Sequence, residues 1–114
     1  MESDCLFCKV VSGDVPGDVV CENDVVMAFR DLDPQAPVHV LVVPKEHYPD
    51  LAALARSAPE VLTAVARTTA EVADLESLDD GYRVVFNTGA AGGQSVFHCH
   101  AHVLGGRTMS WPPG

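Results

Sequence analysis

The chain has 114 residues, which is enough for one domain, expected to span 1–114, and too few for two. Hydrophobic residues make up 47% of it, so it can bury a core. Sixteen acidic residues against seven basic ones give a net charge of -9, which excludes the basic surface that binding to nucleic acid or an anionic membrane requires.

The start of the chain and its cysteines indicate a cellular compartment. Met1–Asp4 is acidic, whereas a secretory signal would be basic and then apolar. The longest apolar runs are only a few residues long, too short to span a bilayer. We therefore expect a cytoplasmic protein, in which the four cysteines are metal ligands or reduced thiols before they are disulfides.

The first half of the chain predicts one short helix and three strands. The helix has Asp4 as a plausible N-cap and Gly13 as the residue that ends it. A hairpin of Val19–Glu22 and Val25–Arg30 follows. Val38–Val43 is an almost continuous apolar run, typical of a central strand that is covered on both faces.

The second half predicts one long helix and two strands. Ser57 and Glu60 have the spacing of a capping box, and apolar residues at helical spacing predict a helix from about Ala58 to Leu75. Strands are predicted over Tyr82–Thr88 and Val96–Leu104. Strands joined by short turns favour an antiparallel sheet with segregated helices, an α+β fold.

The last predicted strand carries three histidines in strict alternation, His98, His100 and His102. Because residues two apart in a strand share a face, all three histidines should project from one face. Cys99, Ala101 and Val103 should project from the other face and pack on the core. Two chemistries remain open for such a face. One is metal chelation, and the other is nucleophilic catalysis by an imidazole whose neighbours hold the substrate.

A glycine-rich loop, Gly89–Ser95, precedes these histidines. It lacks the Gly-Lys-Ser/Thr ending of a Walker loop. Its glycines still allow backbone N–H groups to approach an anion closely, although such loops are often simple tight turns. Its position next to the histidines favours a phosphate held between them.

Cys5 and Cys8 are three positions apart on the first predicted helix and could bind one metal ion. A redox pair is the alternative, but such a pair normally follows a first strand, whereas this one opens the chain. Structural zinc would need two further ligands, for which the candidates are His39, His47, His98 and Cys21. Cys21 and Cys99 otherwise read as small buried hydrophobic residues.

Asp31 ends a predicted strand and could accept two hydrogen bonds from a ribose diol. The chemistry of the residue alone favours the alternative, an aspartate that forms a turn.

Together these residues resemble the histidine triad superfamily and, within it, the Hint branch of nucleotide-binding proteins. His98–Leu104 matches the alternating His-apolar motif of the superfamily. The flanking matches are Gly92–Val96, Leu104–Arg107, Trp111–Gly114, Asp33–His39, and Pro44–Lys45 with His47. The resemblance covers nearly the whole chain.

The resemblance implies a histidine triad fold: a five-stranded antiparallel sheet with one long and one short helix, dimerising into a continuous ten-stranded sheet. It also implies a hydrolase that cleaves the P–N bond of purine nucleoside phosphoramidates, such as AMP joined to an amine, through a nucleotidyl-histidine intermediate. Aminoacyl-adenylates are a further substrate class of this branch, and AMP is the product. Dividing one displacement into two easier ones is the advantage of such a covalent intermediate.

By position, the resemblance makes His100 the nucleophile and places Ser95 near the leaving amine. His102 and the amides of Ser95 and Val96 would hold the phosphoryl oxygens, with His39 and His98 as supporting histidines. The remaining nucleotide-binding positions would be Asp31 and Leu32 at the ribose, Asn87, Gly93 and Gln94 near the phosphate, and Phe7, Val10 and Phe29 around the base.

The resemblance also implies a structural zinc ion. Other histidine triad proteins, and the related galactose-1-phosphate uridylyltransferases, bind zinc with two cysteines and two histidines. By position these would be Cys5, Cys8, His47 and His98, a closed site that ties the first helix to the last strand. No cofactor is needed for the phosphoramidate chemistry itself.

Two other functions stay open. The first is hydrolysis of dinucleoside polyphosphates, but enzymes of that kind tend to have glutamine directly after the triad, where this chain has Gly105–Arg107. The second is a zinc-containing protein that senses nucleotides without relevant turnover.

Overall fold

The computed structural model describes residues 4–114, so the acidic Met1–Ser3, which counted against a secretory signal, lie outside the described residues. The helices are α1 (Leu6–Ser12), α2 (Leu51–Ser57) and α3 (Pro59–Leu75), and a single 3-10 turn covers Ala90–Gly92. The strands are β1 (Val19–Glu22), β2 (Val26–Arg30), β3 (Val38–Pro44), β4 (Tyr82–Val85) and β5 (Ala101–Gly105). Within the described chain, no helix is both long enough and apolar enough to cross a membrane.

The five strands form one antiparallel sheet in the order β1-β2-β3-β5-β4. The last strand therefore lies between β3 and β4, with Leu41 opposite His102 and Val85 on the other side of it. The predicted α+β class and the five-stranded antiparallel sheet are confirmed.

The sheet has two covered faces because the side chains of its central strands alternate. One face packs against α2 and α3, where Val40, Val42, Val103 and Cys99 join Val65 and other helix residues in the larger core cluster. The opposite face packs against α1 and forms a smaller cluster of Phe7, Val10, Met27, Phe29, Leu41 and Val43. Cys99 is buried as predicted, and Cys21 packs half-buried against the larger cluster. The side chains of Asp31 and His102, two residues of the predicted site, lie in the cleft between this face and α1.

Helix α1 ends as predicted but begins differently. Gly13 takes the left-handed conformation with φ of 88°, and its N–H bonds to the carbonyl of Val10. The N-cap is Cys5 and not Asp4, because the Cys5 sulfur accepts a hydrogen bond from the Cys8 amide. The predicted metal-ligand pair thus also closes the first turn of the helix.

Helix α2 was not predicted from the sequence. It is capped by Asp50, whose side chain accepts a hydrogen bond from the Ala53 amide. Because Ser57 is the last residue of α2, the predicted capping box is wrong. Helix α3 instead begins at Pro59, with Ala58 as an N-cap that makes no side-chain hydrogen bond.

The last two strands are shorter than predicted. Strand β5 begins at Ala101, so His98 and His100 precede it instead of lying within it. The pairing of β5 with β3 starts only at this point, because Val42 is the last β3 residue paired with β5. Beyond it, the Pro44 carbonyl accepts from the His98 ring instead of from a strand partner. Strand β4 ends at Val85 for the same reason, opposite the start of β5.

Candidate functional site

A cleft of about 210 Å³ lies between α1 and the sheet. Its walls bring together nine of the residues predicted to catalyse or to bind nucleotide: Phe7, Val10, Phe29, Asp31, Leu32, Ser95, Val96, His100 and His102. One end of the cleft is apolar, and the other carries a carboxylate and two imidazoles. This combination suits a ligand with a flat apolar part and a polar, anionic part.

The orientation of the His100 ring is fixed by a backbone carbonyl. Its Nδ1 lies 2.7 Å from the carbonyl oxygen of His98, and because a carbonyl can only accept, Nδ1 must carry the proton. The lone pair of the neutral ring is therefore on Nε2. Phe7 packs edge-on against this ring with centroids 4.9 Å apart, which holds the imidazole in the buried wall of the cleft.

A second chain of hydrogen bonds fixes His102. The Gln35 amide donates to His39 Nδ1 over 3.0 Å, so the proton of neutral His39 lies on Nε2. That Nε2 lies 2.8 Å from His102 Nδ1 and donates to it, which leaves the His102 proton on its own Nε2. The cleft thus presents a lone pair from His100 and an N–H donor from His102, whose rings lie 4.9 Å apart.

Burial keeps these imidazoles neutral. Desolvation lowers the pKa of His102 to about 4, and it lowers the pKa of His100 and His39 as well. The Asp31 carboxylate, 3.4 Å from His39 Nε2, acts in the opposite direction on all three rings but is the weaker influence. A neutral imidazole with a free Nε2 lone pair is therefore present near pH 7 without a separate base.

The glycine-rich loop presents two backbone amides to the cleft. Within residues 4–114, the N–H groups of Ser95 and Val96 donate to no protein acceptor, and both residues line the cleft. The loop is held by buried Gln94, whose amide group bonds to the backbone of Pro49, Val96 and Gly89. Gln94 thus supports the loop with its side chain and is not among the residues that line the cleft.

Asn87 and Gly93 lie beside the cleft and are not among its lining residues. The Asn87 side-chain amide donates to the Gly93 carbonyl over 3.4 Å. Gly93 has φ of 89°, and a side chain added there would contact the Asn87 amide. The pair therefore shapes the end of the loop that precedes Ser95.

Beside the cleft, the four residues predicted to bind zinc converge, Cys5, Cys8, His47 and His98. His98 Nδ1 lies 3.3 Å from Cys5 Sγ, 3.5 Å from Cys8 Sγ and 3.2 Å from His47 Nδ1. Cys8 Sγ lies 3.5 Å from His47 Nδ1, and all four ligand atoms are within 4.8 Å of one another.

This donor set fits a zinc ion. A tetrahedral zinc ion with bonds of about 2.0–2.3 Å places its ligand atoms about 3.3–3.8 Å apart, close to the observed separations. The fully buried His98 donates from Nε2 to the Pro44 carbonyl over 2.8 Å, so its Nδ1 has a lone pair for the metal. His98 consequently belongs to the metal cluster and does not line the cleft.

Sequence reasoning missed several residues of the site. Leu6 and Leu41 line the cleft, and the Gln35 amide and the Pro44 carbonyl set the tautomers of His39 and His98. Leu41 was detectable in principle, because it alternates with His39 along one strand. The two backbone groups carry no signal in residue type, so only the folded structure reveals them.

Comparisons with known proteins identify the family of this chain. The family model of the HIT domain matches residues 12–109, and the chain belongs to this histidine triad family. A HIT family hydrolase from Legionella pneumophila Philadelphia 1 has the same fold, with a TM-score of 0.93 and 45% identity over 97% of this chain and 100% of that one.

Two plant relatives are similar along almost the whole chain. A 14 kDa zinc-binding protein of Zea mays is 45% identical, over 99% of this chain and 90% of its own length. The adenylylsulfatase HINT1 of Arabidopsis thaliana is 43% identical, over 99% of this chain and 78% of its own length. The predicted resemblance to the Hint branch is thereby confirmed.

Proposed function

We propose that this protein is a nucleotide-binding hydrolase that cleaves the P–N bond of purine nucleoside phosphoramidates, releasing AMP and an amine. The observation that carries the proposal is the pairing of two tautomers in one cleft. His100 offers a lone pair and His102 offers a proton donor, both next to two unoccupied backbone N–H donors. The hydrolase name of the Legionella protein and the name of the Arabidopsis relative support it.

The first step is attack by His100 Nε2 on the phosphorus. A P–Nε2 bond forms as the P–N bond breaks, and the leaving nitrogen takes up one proton from water, relayed through the Ser95 hydroxyl, so that it departs as a neutral amine. The amides of Ser95 and Val96 and the N–H of His102 hold the phosphoryl oxygens as their charge redistributes. The Ser95 hydroxyl lies on the same wall and is assigned to the leaving nitrogen. Water then attacks phosphorus, the P–Nε2 bond breaks and one proton of the water passes to solvent, which releases AMP and restores neutral His100.

The rest of the cleft places the nucleoside. Asp31 has one carboxylate oxygen bound by the Asp33 amide at 2.8 Å, and its other oxygen points toward His39. The carboxylate is thereby oriented to accept the ribose hydroxyls next to Leu32. Phe7 and Phe29, whose rings meet edge to face at 5.5 Å, form the apolar wall for the base.

We assign structural zinc to the cluster of Cys5, Cys8, His47 and His98. The name of the maize relative and the fit of the ligand atoms support this assignment. Bound zinc would be a closed cross-link between α1 and the segment before β5, with no open position for catalysis.

We also propose a homodimer that forms along β4. Val84 pairs with Val103, so both point to the sheet face that α3 covers, yet Val84 is 40% exposed and Tyr82 is 42% exposed at that edge. Pairing of β4 with its symmetry mate would continue the sheet to ten strands and cover this apolar strip. Trp111, 84% exposed, is a further apolar group available to such an interface.

The dimer is tested with two matched variants. Sedimentation at micromolar concentration should give about twice the 12.1 kDa chain mass. Val84→Asp should give a monomer, whereas Val19→Asp on the opposite edge strand, 43% exposed, should leave the dimer intact. A monomeric wild type, or the reverse response of the two variants, would contradict the proposed interface.

The catalytic proposal is tested with His100→Ala. Turnover of AMP phosphoramidates should fall by about 10³-fold or more, since covalent catalysis is lost. Binding of AMP, measured by calorimetry, should remain because Asp31, the loop amides and the aromatic wall are intact. Retention of a tenth of the wild-type kcat would defeat the assignment of the nucleophile.

A substrate panel separates the alternatives. Wild-type protein is assayed with an AMP phosphoramidate, with adenylyl sulfate and with a diadenosine polyphosphate. Preference for the phosphoramidate supports the proposal. Preference for the diadenosine compound would point to the polyphosphate hydrolases, and AMP binding without turnover of any substrate would point to a sensor.

A further inference from the structure

A second cleft of about 580 Å³ adjoins the nucleotide cleft. The two clefts share Leu6, Ser95 and Val96, so they meet at the loop residues that are assigned to the phosphoryl group. The remaining wall of the second cleft includes Pro49 and Phe97, and neither His100 nor His102 lines it. It therefore lies beyond Ser95 as seen from the nucleophile.

The second cleft has a largely apolar lining and a preformed shape. Leu6, Val96 and Phe97 line one wall, and Phe97 is 53% exposed, with its ring available to a ligand. Cys5 and His47, two members of the metal cluster, form another part of the wall. Their side chains are fixed by the cluster, so the shape of the cleft is set before a ligand arrives.

The chemistry of the displacement requires space at this place. Attack by His100 expels the leaving group from the opposite side of the phosphorus, next to Ser95. In the proposed reaction the nucleotide cleft, about 210 Å³ in volume, takes the nucleoside and the phosphate. Whatever the amine carries must then extend past Ser95 and Val96.

We propose that the second cleft is the leaving-group subsite and that Phe97 selects amines bearing an apolar or aromatic group. The inference rests on the proposed phosphoramidate hydrolysis and adds its substrate class. An aromatic amine packs its ring on Phe97 while its nitrogen stays at Ser95. Asp4, which also lines the cleft, disfavours amines that carry a carboxylate.

The test compares AMP joined to 2-phenylethylamine with AMP joined to ethylamine, two primary alkylamines of which only the first carries an aromatic ring. Wild-type protein should hydrolyse the phenylethyl compound with a kcat/KM about tenfold higher, the discrimination that one apolar contact provides. Phe97→Ala should reduce this ratio to about one, and Phe97→Tyr should keep it, because the ring remains. The dissociation constant of AMP should change by less than about twofold in both variants, since AMP lies in the other cleft.

Leu75→Ala is the matched control, an exposed apolar side chain at the end of α3, and should keep the wild-type ratio. Turnover of both compounds with no preference in the wild type would overturn the inference alone. So would a preference that survives Phe97→Ala. If the wild type hydrolyses neither compound, the proposed function itself fails, and the inference falls with it.

Discussion

Replacement of Cys5 by serine tests the metal cluster through the stability of the fold. The Cys5 sulfur is one of four ligand atoms gathered within 4.8 Å, and it also caps α1 by accepting from the Cys8 amide. Serine can still cap the helix, since its hydroxyl accepts the same hydrogen bond. It is a poor zinc ligand, so the substitution removes the cross-link and spares the local structure of the helix.

The size of the effect follows from the length of chain that the cross-link closes. Cys5 and His98 are 93 residues apart, and closing a loop of that length lowers the entropy of the unfolded chain by an amount worth about 4–5 kcal/mol. The free energy of unfolding should fall by up to that amount. For a chain of this size, Tm should fall by about 10–20 °C.

Calorimetric unfolding and elemental analysis, on protein purified without added metal, measure the change. Cys21→Ser is the matched control, because Cys21 packs against the larger core and is remote from the cluster, and it should shift Tm by only a few degrees. The wild-type protein should contain one zinc ion per chain, and its Tm should fall when a strong chelator is added. Zinc near zero in the wild type, or equal Tm values for Cys5→Ser and Cys21→Ser, would refute the closed site.

Two further predictions concern pH and packing. His102 has its pKa lowered to about 4 by burial, so between pH 6.5 and pH 4 the unfolded chain takes up a proton that the folded chain does not. Because of this difference in proton uptake, the free energy of unfolding, measured in urea, should fall by about 2 kcal/mol as the pH is lowered from 7.5 to 5. His102→Gln should flatten this pH dependence. Gly105→Ala should cost about 1–3 kcal/mol, because its Cβ would lie 2.7 Å from two Leu78 methyl groups, and Leu78→Ala in the same chain should recover part of the loss.

The sequence predicted a helix or strand correctly where the pattern of its own side chains matches the element that forms. Runs of β-branched and apolar residues between turns predicted β1, β2 and β3 to within one residue at each end. Helix α3 followed from its apolar stripe. Alternation failed at the start of β5, because whether Val96–His100 pairs depends on where β3 ends, and no residue within Val96–His100 records that.

Helix α2 escaped prediction for a different reason. Its seven residues are mostly leucine and alanine, too short a run to show a helical stripe, and only Leu54 is fully buried. Asp50 is a residue type that caps helices, but no helix or strand was predicted for the segment around it, so it was not interpreted as a helix start. The role of the Gln94 side chain was also not foreseen, because the residue type does not record that its amide group bonds to the backbone of Pro49, Val96 and Gly89.

His98 connects the two halves of the site, and its bonds explain why they need not fail together. Its ring joins the metal cluster through Nδ1, while its carbonyl accepts from His100 Nδ1 and so sets the nucleophile's tautomer. The ring is also anchored independently, by the bond from Nε2 to the Pro44 carbonyl. Loss of the proposed zinc ion would therefore remove one of two restraints on His98 and leave the second, as well as the carbonyl that orients His100. For this reason Cys5→Ser should lower thermal stability much more than it lowers kcat, and a variant that keeps its stability but loses turnover would show that the cluster acts on the chemistry itself.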